Sequence, residues 1–349
     1  MKNKEIIKSG ILIVATTFLA LLTAFNLNTS DRKEIQNNHE WDELKEVVVG
    51  RWVPNTFVVP KVDLNLKEFF SYIPDESWDY MKKIENNTLS NVFPKDDQEY
   101  FDEQENLVKT LRELGVIVHR PDEIEVGVIG TAQCYSRDPI ITVGNKFIIT
   151  NLYNENRRQE TPSYRRIALN MAKNYNGEVV SMPALKAGYH KDNVYLEGGD
   201  VFVAGNDIYV GISGNASNMK GVEWLQKELG NEYTVHPIPL KPNVLHLDCT
   251  LMLINKEQGI ICKEDFIDFD AAPESLKNRE WVEVKPEEAQ IMATNGVVIN
   301  SKSIIMSDAF PKVANRVREM GIDVKEIPFR KANYFGGGLR CSYQPIFRN

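Results

Sequence analysis

Pro139-Ile140-Ile141-Thr142-Val143-Gly144-Asn145-Lys146-Phe147-Ile148-Ile149-Thr150 holds two runs rich in β-branched residues around a Gly-Asn pair. Such residues fit a pleated strand, and Gly-Asn tolerates the positive φ of a tight reversal, so the stretch predicts a β-hairpin. Beyond it, Tyr164–Tyr175 predicts a helix and Glu178-Val179-Val180 a short strand. The same order then returns. Val201-Phe202-Val203 and Ile208-Tyr209-Val210 turn at Gly205-Asn206, a helix around Val222, Leu225 and Leu229 stops at Gly230, and Tyr233-Thr234-Val235 follows. A third round runs through Thr250–Ile254, Ile260-Ile261, a helix near Pro273–Asn278 and a strand at Val282. A fourth has Gly296–Ile299, Ser303–Met306, a helix over Val313–Met320 stopped by Gly321, and Val324–Ile327.

The unit recurs roughly every 50 residues, and recurrence of that kind means one stacked or closed architecture rather than separate domains. Upstream, Pro94-Lys95-Asp96 opens a helix whose Leu107, Val108, Leu111 and Leu114 share a face, and Val116-Ile117-Val118 follows Gly115. The early strand Glu46–Gly50 then completes the unit begun after Cys341, giving an α/β fold of about five units closed by the two ends of the chain. That is a five-bladed α/β propeller. A doubly wound sheet is the alternative, and it would place single strands where hairpins recur. Trp52–Phe93, with Pro54, Pro60, Pro74 and many aromatics, reads as a long ordered excursion with one helix.

The chain has 349 residues, 42% hydrophobic and 26% charged, a globular composition. A net charge of −8 excludes nucleic-acid binding driven by phosphate contacts. Cys134, Cys249, Cys262 and Cys341 form no CxxC pair and no zinc-type spacing, and four cysteines are too few for a disulfide scaffold. Lys2, Lys4 and Lys8 precede the apolar run Ile11–Phe25. Residues 1–28 therefore read as an export signal or N-terminal membrane anchor, 29–39 as a polar linker and 40–349 as the catalytic domain, displayed beyond or at the membrane.

Polar residues gather beside the hairpins. Tyr135-Ser136-Arg137-Asp138 precedes the first, Glu197-Gly198-Gly199-Asp200 the second and His246-Leu247-Asp248 the third, while Cys341 follows the Gly336-Gly337-Gly338 bend. In a radial arrangement they converge as one thiol, one imidazole and four carboxylates. Several carboxylates in one pocket need a cation among them. A metal is one candidate, but neither the contiguous loop of calcium sites nor zinc spacing is present. A guanidinium, planar and always charged, suits paired carboxylates better. It would favour a Cys341 thiolate, which could attack the central carbon while His246 moves protons. Taken singly, Asp138 and Glu197–Asp200 also read as turn residues and His246 with Asp248 as a structural pair. Arg157, in Arg157-Arg158-Gln159-Glu160, reads as a solvated charge or as the binder of a substrate carboxylate.

Trp41-Asp42, Leu44, Glu46–Gly50, Phe93-Pro94-Lys95-Asp96, Gly115-Val116, Arg120-Pro121-Asp122, Arg137-Asp138, His246, Asp248 and Gly336–Gly338 with Cys341 resemble the glycine and inosamine-phosphate amidinotransferases, guanidino-modifying enzymes of the pentein fold. The resemblance spans about residues 40–349. It implies a covalent amidino-Cys intermediate with Cys341 as nucleophile, His246 as acid/base, Asp138 and Glu197 holding the guanidinium, and no cofactor. Asp200, Asp248, Arg157 and Tyr135 are the further candidates for substrate contact. Glu197-Gly198-Gly199-Asp200, Arg157-Arg158-Gln159-Glu160 and Pro345-Ile346-x-Arg348 look instead like arginine deiminases, and Arg340 stands where amidinotransferases commonly carry His. The expected activity is amidino transfer from arginine or a related guanidino donor to an amine acceptor. The alternatives are hydrolysis to citrulline and ammonia, or non-catalytic binding of guanidino ligands.

Overall fold

The computed structural model describes residues 32–54, 56, 58, 59, 61–69, 72–124, 133–187, 190, 192–331 and 336–349. The apolar run 11–25, expected to direct the chain to a membrane, lies outside them. Among the described residues no helix is long and apolar enough to cross a membrane.

Five three-stranded sheets share one internal plan, an antiparallel hairpin whose second strand pairs in parallel with a third. The first contains Ile140–Val143, Lys146–Ile149 and Glu178–Ser181. The second contains Val201–Ala204, Asp207–Ile212 and Thr234–Pro239. The third contains Leu251–Leu253, Gln258–Ile261 and Glu280–Glu283. The fourth contains Val297–Asn300, Ser303–Ser307 and Asp323–Ile327. In the fifth, Tyr343–Arg348 pairs antiparallel with Leu44–Val49, which pairs in parallel with Ile117–His119. Chain segments far apart in sequence thus complete one unit. Each sheet is open, and none curls round to close on itself.

Both faces of the inner strands are buried, which is why they read as unbroken apolar runs rather than as alternating ones. Ile141, Val143 and Ile148 of the first sheet pack with Val201, Val203 and Ile208 of the second, while Ile140 and Phe147 pack with Val48 and Ile346 of the fifth. Phe202 and Tyr209 meet Leu251 and Ile261 of the third. Met252 and Ile260 meet Val298 and Ile304 of the fourth, and Val297 and Ile305 meet Val47, Val49 and Tyr343 of the fifth. Each core cluster therefore joins one sheet to the next, and the fifth sheet also meets the first.

Helices cover the outside. Met219–Leu229 starts at Asn218, whose side chain accepts from the Gly221 amide, and stops at Gly230 with φ 75°. Arg165–Asn174 follows a 3-10 stretch over Arg157–Tyr164, so the predicted helix begins where Tyr164 was expected. Pro94–Glu113 buries Leu107, Val108 and Leu111. Leu114 departs from the expectation: it caps the helix and is exposed, because the last turn has already left the sheet.

Two segments are more structured than their composition suggested. Among its described residues the excursion holds three helices, Leu64–Phe69, Asp75–Lys83 and Leu89–Val92, rather than one. Its Trp52, Val59, Trp78, Met81 and Ile84 share a core cluster with Cys341. The expected linker 29–39 is, over residues 33–39, laced across the sheets: Lys33–Glu34 pairs with Tyr175–Asn176, and Gln36, Asn37 and His39 bridge to Phe347, Gly144 and Ala204. Its polar side chains are spent on these contacts; Asn37, for example, donates to the Thr142 carbonyl at 2.8 Å.

Candidate active site

Apart from Arg157, the predicted site residues occupy corresponding positions, at or just before the first strand of successive sheets. Glu197 precedes the 3-10 turn Gly198–Asp200 that enters the second sheet, and His246 precedes the matching turn Leu247–Cys249 that enters the third. The first of these turns requires glycine. A Cβ on Gly198 would strike the Arg137 carbonyl oxygen, and one on Gly199 would lie 2.5 Å from His246 Nδ1 and 2.9 Å from Asp138 Oδ1. Small residues here bring the backbone against the imidazole.

His246 is 1% exposed. Its Nε2 lies 3.0 Å from Glu197 Oε2 and its Nδ1 3.8 Å from Asp138 Oδ1. Burial opposes a charged ring, but Asp138, Asp200 and Glu197 overcome it and push the imidazole up to about 10. His246 is thus an imidazolium at neutral pH, a proton donor on both nitrogens. Ligand atoms of Asp138, Glu197 and His246 all lie within 4.8 Å of one another, a spacing that could suit a metal ion. Arg157 Nη1 is 2.7 Å from Asp138 and supplies positive charge to this group of carboxylates.

Asp138 accepts from the Gly199 amide at 3.0 Å and from Arg157 Nη1 at 2.7 Å. Burial alone would raise its carboxyl, but His246 and Arg157 hold it below the usual range. Arg157 also grips Glu160 through Nε and Nη2, each at 2.9 Å, and donates to the Tyr135 carbonyl at 3.3 Å. Four of its five N–H donors are committed by these bonds. Arg157, expected as a solvated charge or as the binder of a substrate carboxylate, is paired here with Asp138 and Glu160.

Two other candidates have inward-facing tasks. Asp200 accepts from the Leu247 amide at 3.1 Å and the Ser217 amide at 3.2 Å, so it ties down the turn that carries His246. Burial pushes Asp200 up to about 7, against the pull of His246 and Ser217. The Tyr135 hydroxyl is 2.6 Å from that of Tyr100, and its ring fills the space a Cβ on Gly337 would take.

Cys341 is buried, with Sγ 3.7 Å from Asp248 Oδ2. Burial raises the thiol well above its ordinary value, Asp248 and Asp138 raise it further, and the Gly338 backbone and Asn295 pull the other way. The free site therefore holds a neutral thiol, and an arriving cation would favour its thiolate.

Asn295 was not singled out in the sequence. Its Oδ1 accepts from the amides of Arg340 at 2.7 Å and Cys341 at 3.2 Å, while its Nδ2 donates to the thiol at 3.3 Å and to the Asp248 carbonyl at 3.0 Å. It precedes the fourth hairpin as Asp138 precedes the first, so the same positional rule would have found it. Arg340, noted in the sequence only as a departure from the resembled family, is a further residue of the site. It bonds Asp248 and Glu40, each at 3.1 Å, donates to the Val201 carbonyl and stacks on Phe202 with its guanidinium 3.7 Å from the ring centre. Tyr72, from the excursion, is close enough to Glu197, Asp138 and Arg157 for their charges to act on its phenol.

Two expected results follow. Gly199→Ala should push the imidazole off its carboxylates and cost about a hundredfold in kcat, the effect of an ångström of misplacement. Steady-state rates with circular dichroism as a fold check would show it, and an unchanged kcat would mean the ring has room to move. Second, a guanidinium entering among these carboxylates should repel the His246 proton. The group is protonated below about 10 in the free site and less so when occupied, so binding should release protons and tighten as pH rises from neutrality toward that value. Calorimetry on Cys341→Ala in buffers of different ionisation enthalpy reads the protons directly, and proton uptake would contradict the charge assignment.

Known proteins share this arrangement of the chain. Mitochondrial glycine amidinotransferase of Gallus gallus is 25% identical over 352 aligned residues, covering 87% of this chain and 80% of the relative. The solved structure of inosamine-phosphate amidinotransferase StrB1 from Streptomyces griseus matches with a TM-score of 0.75 at 21% identity, over 91% of this chain and 98% of that one. The N-terminal domain of ArgZ, an arginine dihydrolase of cyanobacteria, matches at 0.67 and 17% identity, over 88% and 98%. These solved neighbours place the chain among the pentein-fold α/β proteins. The model of the family described as N,N-dimethylarginine dimethylhydrolase, eukaryotic, matches residues 80–348, and the chain belongs to this family of enzymes acting on guanidino groups.

Proposed function

We propose that the protein is a Cys-dependent amidinotransferase. The observation that carries this reading is the meeting of the Cys341 thiol, the His246–Glu197 pair, Asp138 and Asp248 in one buried site whose carboxylates are already balanced by a guanidinium from the protein itself. A site that stabilises Arg157 in this way has acceptor carboxylates of the kind a second, external guanidinium needs. Likeness to a glycine amidinotransferase over 80% of that relative supports transfer over hydrolysis. We take the five units to stand radially as an α/β propeller; the cyclic sharing of core clusters supports that arrangement.

In this reading Asp138 and Glu197 hold the guanidinium, whose charge drives the His246 proton to solvent, and the Cys341 thiol gives its own proton to the neutral imidazole as it becomes the thiolate. Sγ bonds to the central carbon as that carbon becomes tetrahedral. The bond to the substituted nitrogen breaks, that nitrogen takes a proton from His246, and the alkylamine leaves. An acceptor amine then gives a proton to His246, attacks the amidino carbon and expels the Cys341 thiolate. Asp248 sits beside the sulfur throughout and, with Asn295, keeps it aimed.

The second reading, hydrolysis, is favoured by Glu197-Gly198-Gly199-Asp200 and by the family match itself. The two differ in which nitrogen departs first. In transfer the alkylamine leaves and Cys341 carries a bare amidino group; in hydrolysis ammonia leaves and the thiol keeps the alkyl chain. Mass spectrometry of acid-quenched protein after brief exposure to guanidino donors should find the bare amidino adduct on Cys341. An adduct that retains the alkyl chain would decide for hydrolysis, and no adduct with any donor would leave a binding protein.

A further inference from the structure

The Pro94–Glu113 helix turns one face inward. Along its C-terminal half that face is apolar, and Leu107, Val108 and Leu111 join a core cluster with Val47 and Val49 of the fifth sheet. Along its N-terminal half the same helical spacing presents Asp96, Glu99, Tyr100, Glu103 and Gln104. Gln104 is 0% exposed. A buried amide costs free energy unless it is bonded, so packing alone would favour an apolar residue there, as at Leu107 and Leu111. The bonds of this polar half lead to one stretch of chain, the stretch that ends in the nucleophile.

Upstream of the glycine bend, Asp96 and Glu99 both pair with the Lys331 ammonium at 2.9 Å. The Glu103 carboxylate accepts from the consecutive amides of Arg330 and Lys331, each at 2.8 Å. These bonds fix the chain just after it leaves the fourth sheet at Ile327. Downstream, Gln104 Nε2 donates to Ser342 Oγ at 3.1 Å, and that hydroxyl donates to the Gly338 carbonyl at 2.9 Å. The two bonds bracket Cys341 between residues 338 and 342. Tyr100 bonds the Tyr135 hydroxyl, and the Tyr135 ring lies against Gly337. Adjacent residues of one helix, Glu103 and Gln104, therefore hold the chain on both sides of the bend.

We propose that Gln104, with Glu103 beside it, is a positioning residue for Cys341. Through Ser342 it aims the sulfur at the carbon of a bound guanidinium, and it takes no part in holding that guanidinium. This rests on the reading above of Cys341 as a nucleophile beside a guanidinium site. Asp138 and Glu197, which would hold the cation, enter the first and second sheets. Loosening Gln104 should therefore slow bond formation at sulfur without weakening binding.

The test uses 2-chloroacetamidine, whose amidinium is planar and cationic like a guanidinium and whose neighbouring carbon lets Sγ displace chloride. With the full chain, saturation of the reaction gives an affinity and the limiting rate reports the aim of the sulfur. Mass spectrometry locates the added group on Cys341. Gln104→Met keeps the bulk and loses the donor, while Ser342→Ala loses the hydroxyl it reaches. Each should lower the limiting rate at least about tenfold and leave the half-saturating concentration within about twofold of the parent, the split expected of misplacement rather than lost binding. Combining them should cost little more than either alone, because one contact is cut twice. Should Gln104→Met not fold, Ser342→Ala and Glu103→Gln carry the test, the latter with a smaller loss in the same direction. A lowered Tm with an unchanged limiting rate would make the helix a structural prop and overturn the proposal, and so would a loss confined to affinity. If parental Cys341 shows no preference for 2-chloroacetamidine over neutral 2-chloroacetamide, once each rate is divided by that with free glutathione, the guanidinium-site reading fails and takes this inference with it.

Discussion

Cys341→Ala should abolish turnover, by at least about a thousandfold, while leaving the fold and guanidino binding intact. The reason is that the loop is held by its backbone rather than by its sulfur. Asn295 accepts from the amides of residues 340 and 341, and the Cys341 carbonyl accepts from the Arg137 amide at 2.9 Å. None of these bonds needs the thiol. The carboxylates that would hold the substrate, Asp138 and Glu197, belong to other sheets. A rate assay paired with direct binding of a guanidino ligand checks both halves. Substantial residual turnover would move the nucleophile to Cys249, the other thiol within reach of Asp248.

Arg340→Met should destabilise the protein by about 3–5 kcal/mol, the cost of breaking a buried ion network from one side. Arg340 is 2% exposed and serves two carboxylates that are equally sealed, Glu40 and Asp248. Burial would lift Glu40, but Arg340, aided by Arg137 and Arg348, holds it below the usual carboxylate range. Burial leaves Asp248 above that range even with Arg340 beside it. Met keeps the apolar stem and removes the charge together with the guanidinium's stacking on Phe202 and its bond to the Val201 carbonyl. Chemical denaturation should show the loss, and adding Glu40→Gln should recover part of it by deleting one stranded charge. An Arg340→Met protein as stable as its parent would mean the network is a surface-like pair of little worth. The Glu40 contribution has a definite sign with pH. Its folded value is depressed, so the stability it lends is present above the unfolded carboxylate range and is lost as pH falls through the folded value.

What the sequence carried and what it withheld divide along physical lines. The hairpins were legible because Gly-Asn reversals and runs of β-branched residues are local signals, and both hairpins turned at such a pair lie where those signals put them. Asp138, Glu197, His246, Asp248 and Cys341 were legible because a repeated unit puts them at repeated offsets. Asn295 obeyed the same offset and was passed over for its lack of charge. The pairing of Arg157 with Asp138 could not be read, since a side chain reaching back across its own unit from an irregular 3-10 stretch leaves no periodic trace. Nor could the lacing of residues 33–39, where polar composition implied solvent and the backbone in fact completes hydrogen bonds along three sheets. Tyr72 was hidden for a related reason: nothing in an irregular, proline-rich stretch says which residue will turn inward.

The fifth sheet also fixes when the enzyme can first work. Ribosomes release Leu44–Val49 early, and that strand has no antiparallel neighbour until Tyr343–Arg348 has been made. The four intervening sheets are built from near-contiguous segments and can assemble as they emerge, N-terminal first. The late strand follows directly on the nucleophile, so the pairing that completes the last sheet also sets Cys341 beside Asp248 and Asn295. A nascent chain therefore keeps its reactive thiol apart from the residues that would activate it until synthesis has passed residue 348. Joining these distant segments should be the slow step of refolding, because closing so long a loop is the costliest contact in the fold.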